Sequence, residues 1–388
     1  MAQGLLLNCF LEASIPTAPD THGRYTDGMI RVLALLSSSL LTQAPSSTPS
    51  QVEEKLPFVT AVHLENDVLA QSDRNYSNGT RVEHYGEYDA CRRLGLALGF
   101  PDGVDHRYPC GGSLAQNMYT PSRIVPNDGE VPWPDPNDRP YGGWLHAGLL
   151  FQHLHADAIP TRSSRLTLQA TVGVIGPPAL AGEVQRGWHS ALNDIFGRTV
   201  ARIPVGWEAQ LPTEPAFHIS ALREQPLLWS RYVDATWSAG AMLGTVFVNA
   251  NAGATVRVGL ISQPFGLSPI MPSVLRAKRA QLEAEGKTLE PGTLADVSQR
   301  SFEAYLFARG QVRWVARNLF LDGNFFRKSI SVRKAPFVGD SEFGLALGGR
   351  RFQFDLSYVF RSQEMAEPPN PRISGHRFAQ LQFTYRHY

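Results

Sequence analysis

The stretch "SRLTLQATVGV" (residues 164–174) alternates without a break: Leu166, Leu168, Ala170, Val172 and Val174 against Arg165, Thr167, Gln169, Thr171 and Gly173. Period two over such a length marks a β-strand with one apolar and one polar face. The stretch "FQFDLSYVF" (352–360) repeats the pattern, with Phe352, Phe354, Leu356, Tyr358 and Phe360 on one side. Looser runs of the same kind occur near 58–66, 80–88, 113–120, 142–155, 215–224, 231–243, 245–260, 301–318, 342–349 and 376–388. The chain therefore predicts about twelve strands, many longer than the roughly 5–6 residues usual in soluble sheets. Roughly 9–11 residues is the length with which a tilted strand crosses a bilayer. The fold these runs define is all-β: a single closed antiparallel transmembrane β-barrel, with apolar residues facing lipid and every backbone polar group paired by closure. A secreted β-sandwich or jelly roll is the competing reading.

Composition fits a barrel. The 388 residues are 18% charged and 10% aromatic, with 34 glycines and a net charge of +1. That charge gives no electrostatic case for nucleic acid as a partner. Residues 1–28 show no periodicity and read as an over-called extension before a true start at Met29. The run "MIRVLALLSSSLLTQA" (29–44) has the cation, short apolar core and small-residue end of a signal peptide, and is too short to span a bilayer. Residues 45–56, rich in Ser, Thr, Pro and Gln, predict a disordered linker, leaving 57–388 for the barrel. Within that barrel only Cys91 and Cys110 remain. In an oxidising compartment such a pair is expected to bridge. A zinc site would need more ligands than Cys91, Cys110 and His106 offer.

Alternating the strands from a periplasmic N-terminus places outer loops near 67–79, 120–140, 175–214, 319–341 and 363–375, with a tight turn at about 244. Inner connections then fall near 89–111, 157–162, 225–230, 261–300 and 350. In the third outer loop "LAGEVQRGWHSALNDI" (180–195) predicts a short helix, and "SVLRAKRAQLEAEG" (273–286) predicts another in the long inner connection. The first outer loop carries Asn66, Asp67 and Ser77, the second Arg139, and the third Gln185 and His189, four residues apart and so on one helical face. Each has an ordinary structural reading as well. Asn-Asp pairs and Asn78-Gly79 form turns, Arg139 beside Asp138 suits a loop salt bridge, and a loop histidine is commonly just solvated.

The stretches "ENDVLAQSDRNYSNG" (65–79), "AQNMYTPS" (115–122), "NDRPYGGWLHAGL" (137–149), "GVIGPPALAGEVQRGWH" (173–189), "GWEAQLPTEP" (206–215) and "NAGATVRVG" (251–259) resemble the outer-membrane lipid A deacylase family, in order and over nearly all of 57–388. The resemblance implies a twelve-stranded, outer-membrane barrel acting on lipid A within lipopolysaccharide, among outer-membrane lipids. It implies removal of the 3′-acyloxyacyl group with calcium (Ca2+) as cofactor. It carries the active-site roles onto Asn66, Asp67, Ser77, Arg139, Gln185 and His189. Serine stands at 77 where the family has threonine, so the hydroxyl survives. An acidic residue six positions after the histidine in some members is Ile195 here, which leaves Asp194, Glu208 or Glu214 as candidates for the remaining metal carboxylate.

The chemistry of these residue types is consistent with ester hydrolysis. An imidazole, which ordinarily titrates near neutrality, can serve as base for water, with Gln185 orienting it or the water. A carboxylate such as Asp67 suits calcium, an ion that polarises a carbonyl. Ser77 and Asn66 can donate hydrogen bonds to a developing oxyanion, and Arg139 can grip a phosphate bidentately. Two rival functions stand beside this one: an outer-membrane phospholipase, and a non-catalytic structural barrel or narrow pore. A monomer is expected in each case.

Overall fold

The computed structural model describes residues 57–67, 74–103, 105–127, 132–157, 159–197, 202–262, 285–286, 302–369 and 375–387. The expected extension, signal peptide and linker, and nearly all of the helix expected at 273–286, lie outside these residues. Twelve long strands form the barrel: β1 (Phe58–Asn66), β2 (Asn75–Glu87), β4 (Pro109–Thr120), β5 (Gly142–His155), β6 (Ser164–Ile175), β7 (Glu214–Trp229), β8 (Val233–Gly244), β9 (Phe247–Leu260), β10 (Phe302–Asn318), β11 (Phe337–Gly349), β12 (Phe352–Arg361) and β13 (His376–His387). A two-residue strand, β3 (His106–Arg107), adds to the inner end of β5. Each long strand pairs antiparallel with its neighbours, and β1 closes the ring on β13 from Phe58↔His387 to Asn66↔Ala379. Closure leaves no sheet edge to satisfy. Among the described residues no helix is long and apolar enough to cross a membrane; crossing by strands is a separate matter.

The two faces of the wall separate as the alternation requires. Thr171 is 2% exposed while Val172 beside it is 67% exposed. The outward set includes Leu149, Leu306, Phe343 and Phe354, all exposed. The inward set is polar and is tied together largely by ion pairs between neighbouring strands. Arg165 Nε donates to Glu224 at 2.6 Å, Arg309 to Glu342 at 3.0 Å, and Asp340 accepts from both Arg361 and Arg313. Toward the outer end the lumen fills with Tyr76, Tyr119, Trp144, Leu211 and Phe320, and Phe320 stacks on Tyr119 at 3.8 Å.

Among the described residues there are three α-helices, α1 (Asp89–Ala97) in an inner connection, α2 (Ala181–Phe196) in the third outer loop and the single turn α3 (Leu319–Asp322), besides three short 3-10 turns. A disulfide joins Cys91 of α1 to Cys110 of β4 with Cα atoms 5.9 Å apart, within the usual range. One expected boundary moves. Asn78-Gly79 is not a hairpin tip, because β2 already begins at Asn75 and pairs with β4 through that segment. A register shift between Tyr76 and Asn78 leaves Ser77 as the extra residue of a β-bulge, a device that re-aims a side chain.

Candidate functional site on the exterior wall

Counting along β1 fixes which side each residue faces. Leu64 is exposed on the outside, Glu65 turns inward to the Tyr76 hydroxyl, and Asn66 turns outward again. On β4 the outward positions after Leu114 are Gln116, Met118 and Thr120. The ladder then lines up one exterior row across four strands: Asn66↔Asn78↔Met118↔Gly143. The bulge at Ser77 brings its hydroxyl 2.7 Å from Thr120 Oγ1. Asn66 Nδ2 donates to the Ser77 carbonyl at 3.4 Å, and the Asp67 backbone N–H reaches the same oxygen at 3.4 Å. Polar groups thus replace apolar ones on a face that should meet lipid. Ser77 is 2% exposed and Thr120 fully buried, so this outward row is covered near the outer ends of the strands.

Helix α2 docks on this same side. A Cβ added to Gly143 would meet Ala181 Cβ at 2.5 Å, so glycine is what lets the helix approach the wall. Gln116 Nε2 donates to the Ala179 carbonyl at 2.6 Å and anchors the turn before α2. Leu180 begins the helix at φ 57°, a left-handed conformation costly for leucine. The buried face of α2 consists of Ala181, Gly182, Gln185 and His189, while Val184, Trp188 and Ile195 are exposed. Trp207, in the turn Trp207–Ala209, packs on Gly182 and joins Met118, Tyr141 and Ala181 in a buried cluster.

Two hydrogen bonds orient the pair on α2. Trp207 Nε1 donates to Gln185 Oε1 at 2.7 Å. An indole only donates, so this bond fixes the amide and leaves Gln185 Nε2, buried without a protein partner, as a hydrogen-bond donor. His189 Nδ1 lies 2.6 Å from the Arg202 carbonyl. A carbonyl only accepts, so Nδ1 carries the hydrogen and Nε2 is the basic nitrogen of the neutral ring. Gln185 and His189 are 3% and 2% exposed.

Asp67 is fully buried, and Oδ2 accepts the Arg74 backbone N–H at 2.6 Å. Next to Arg74, Asn75 is buried in a left-handed turn with its amide oxygen unpartnered by protein. Asp67 offers a carboxylate and Asn75 an amide oxygen, hard-oxygen donors of the kind calcium takes. The three candidates for a further carboxylate are not gathered there. Asp194 and Glu208 are exposed. Glu214 faces inward and caps the backbone N–H groups of Phe325 and Phe326 at 2.8 and 3.1 Å.

Arg139 lies in the loop that leads into β5. It is 1% exposed, pairs with Glu364 at 2.7 Å, and lies over the Tyr119 ring. The Glu364 pair ties two outer loops together through Nη2, while Nε and Nη1 have no hydrogen-bond partner among the described residues. Burial raises the Glu364 carboxyl, but Arg139 first, then Arg361 and Arg313, overcome that and hold it at about 2. Thr120, Trp207 and Asn75 belong to the site and were not singled out from sequence. All three lie in or beside the motif stretches, but their roles depend on cross-strand register and on a tertiary contact.

The closed twelve-strand ring, apolar outside and polar within, defines a β-barrel of the outer-membrane class. Residues 31–387 match the family described as "Outer membrane protein LpxR", and the chain belongs to that family, located in the outer membrane. The solved structure of LpxR from Salmonella typhimurium is similar at TM-score 0.57 and 19% identity, covering 84% of this chain and 99% of that one. The β domain of the Bordetella autotransporter BrkA aligns at TM-score 0.38 and 10% identity, over 85% and 98% of the two chains. A comparison with curated proteins gives no match.

Proposed function

We propose that this protein hydrolyses the 3′-acyloxyacyl ester of lipid A at the outer leaflet, with His189 as general base. The observation that supports this reading is a buried, carbonyl-oriented imidazole on a helix docked against a polar patch of the barrel exterior. A substrate that reaches such a patch comes through the lipid. Dimensions suit it as well. From Asn66 to Gly143 is three strand spacings, about 14 Å, and eight residues of helix from Ala181 to His189 rise about 12 Å. The helix docked at Gly143 is therefore long enough to span the distance to the Asn66–Ser77 patch.

In the proposed reaction His189 Nε2 takes a proton from water as its oxygen adds to the ester carbon. Hydrogen-bond donors from Gln185 Nε2, Ser77 and Asn66 stabilise the oxyanion. The imidazolium then returns the proton to the sugar oxygen as the carbon–oxygen bond breaks, and the acyl chain leaves as a carboxylic acid. Asp67 with Asn75 would hold calcium, which when bound supplies Lewis-acid polarisation of the carbonyl. An apolar groove of about 580 Å³ lies on the adjacent wall between Ala147, Leu149, Val172, Phe217 and Leu243, and offers room for an acyl chain. Two features weigh against the rivals. Ser190 is exposed on α2 rather than on its buried face, a poor place for a phospholipase nucleophile. The apolar fill around Phe320 suits neither a pore nor free passage.

The test uses purified protein and lipid A in detergent, made up in ¹⁸O-labelled water. The released acid should carry the label in a single turnover and no acyl-enzyme should accumulate. An acyl group trapped on Ser77 would overturn water as the nucleophile.

A further inference from the structure

At the opposite, inner end of the barrel three histidines converge where none of the chemistry above needs them. β3 pairs with β5 so that His106 lies directly opposite His155. Asp105 precedes it, and one ligand atom from each of Asp105, His106 and His155 lies within 4.8 Å of the other two. His153, two residues back on the same face of β5, lies outside that group of three but hydrogen-bonds to it, its Nε2 2.9 Å from His106 Nδ1. The three imidazoles stack, with ring centroids 4.7 Å apart for His106–His155 and 5.2 Å for His106–His153.

The surroundings hold this group in place. Phe100 stacks on His153 at 4.6 Å, and the Cys91–Cys110 disulfide pins the excursion that carries Asp105 and His106. The Ala156 backbone N–H donates to the Asp105 carbonyl at 2.9 Å, fixing the loop against the end of β5. The ligand atoms are half-buried rather than sealed, so solvent can deliver an ion.

We infer that Asp105, His106, His153 and His155 form a zinc site that clasps the α1–β3 excursion to the inner end of β5. Three imidazole nitrogens and one carboxylate make a borderline-soft, four-ligand set that suits tetrahedral zinc rather than calcium. Cysteine is not required, because the imidazoles that sequence spacing kept apart are delivered by the ladder. The site is separate from the wall site, so its function is a structural clamp independent of ester hydrolysis.

The experiment uses the purified mature protein in detergent, stripped with chelator and then dialysed against micromolar zinc chloride in excess calcium. Bound metal is counted by mass spectrometry, and the thermal midpoint is followed with and without zinc. One zinc per chain is expected for the wild type and for His189→Ala, with a higher midpoint. His155→Ala and the bulk-preserving His155→Gln should each weaken zinc uptake by about tenfold or more, at least the loss that removing an outer-shell partner of a metal ligand causes, and leave lipid A deacylation unchanged. Failure of the wild type to take up zinc would overturn the proposal. So would equal uptake by His155→Gln, or loss of zinc in His189→Ala instead, which would place the metal at the exterior wall.

Discussion

His189 takes its place in the account from a single hydrogen bond, Nδ1–H to the Arg202 carbonyl. That bond selects the tautomer and aims Nε2, so His189→Ala should lower deacylation by about two to four orders of magnitude, the range for loss of a general base, measured as acid released per unit protein. Trp207→Phe keeps the packing on Gly182 but removes the bond to Gln185 Oε1. A fall in kcat with little change in KM is the expected result, because the amide then loses its fixed orientation. At Glu364 the expected effect is one of stability. Its folded carboxyl sits at about 2, below the ordinary 4.5, so its contribution is complete above pH 4.5 and lost as pH falls toward 2. The thermal midpoint of the wild type should exceed that of Glu364→Gln at neutral pH, and the difference should disappear near pH 2. Arg139 was legible as a charged loop residue, but its partner stands 225 positions away. No local pattern could show that one of its guanidinium nitrogens pairs there.

At the scale of elements, α2 and the bulged β2 decide whether the site exists. Period-two runs made most strands readable, and the four-residue spacing of Gln185 and His189 made the helix readable. The bulge was not, since Asn78-Gly79 carries a strong turn signal that pairing with β4 overrides. Likewise, the helix pattern shows which side of α2 is apolar but not that Gly143 admits it to the wall. Gly143→Leu should push α2 outward. A misplacement of about 1 Å can cost on the order of a hundredfold in rate, while the barrel itself should still form, as checked by its heat-dependent shift on gels. Loss of the barrel together with the activity would remove this explanation.

For the whole molecule, the two faces of the wall carry opposite expectations. Leu149, 71% exposed at mid-strand, should tolerate arginine badly, at about 2–4 kcal/mol for a charge near the bilayer midplane, measured by refolding into vesicles. The Cys91–Cys110 bridge closes 19 residues. Replacing both cysteines with serine should cost about 3 kcal/mol in the chain-entropy account and leave the barrel closed. Closure, apolar exterior and polar lumen all follow from alternation along the chain. The grouping of Asn66, Ser77 and Thr120 on the outside follows only from register. The central claim is that His189, on the lipid side of that wall, removes one acyloxyacyl group from lipid A. Mass spectrometry of lipid A from cells carrying equal amounts of folded wild type or His189→Ala tests it most directly. The account expects lipid A lighter by one acyloxyacyl group with the wild type and full-mass lipid A with the variant. Full-mass lipid A in both, or the same loss in both, would contradict it.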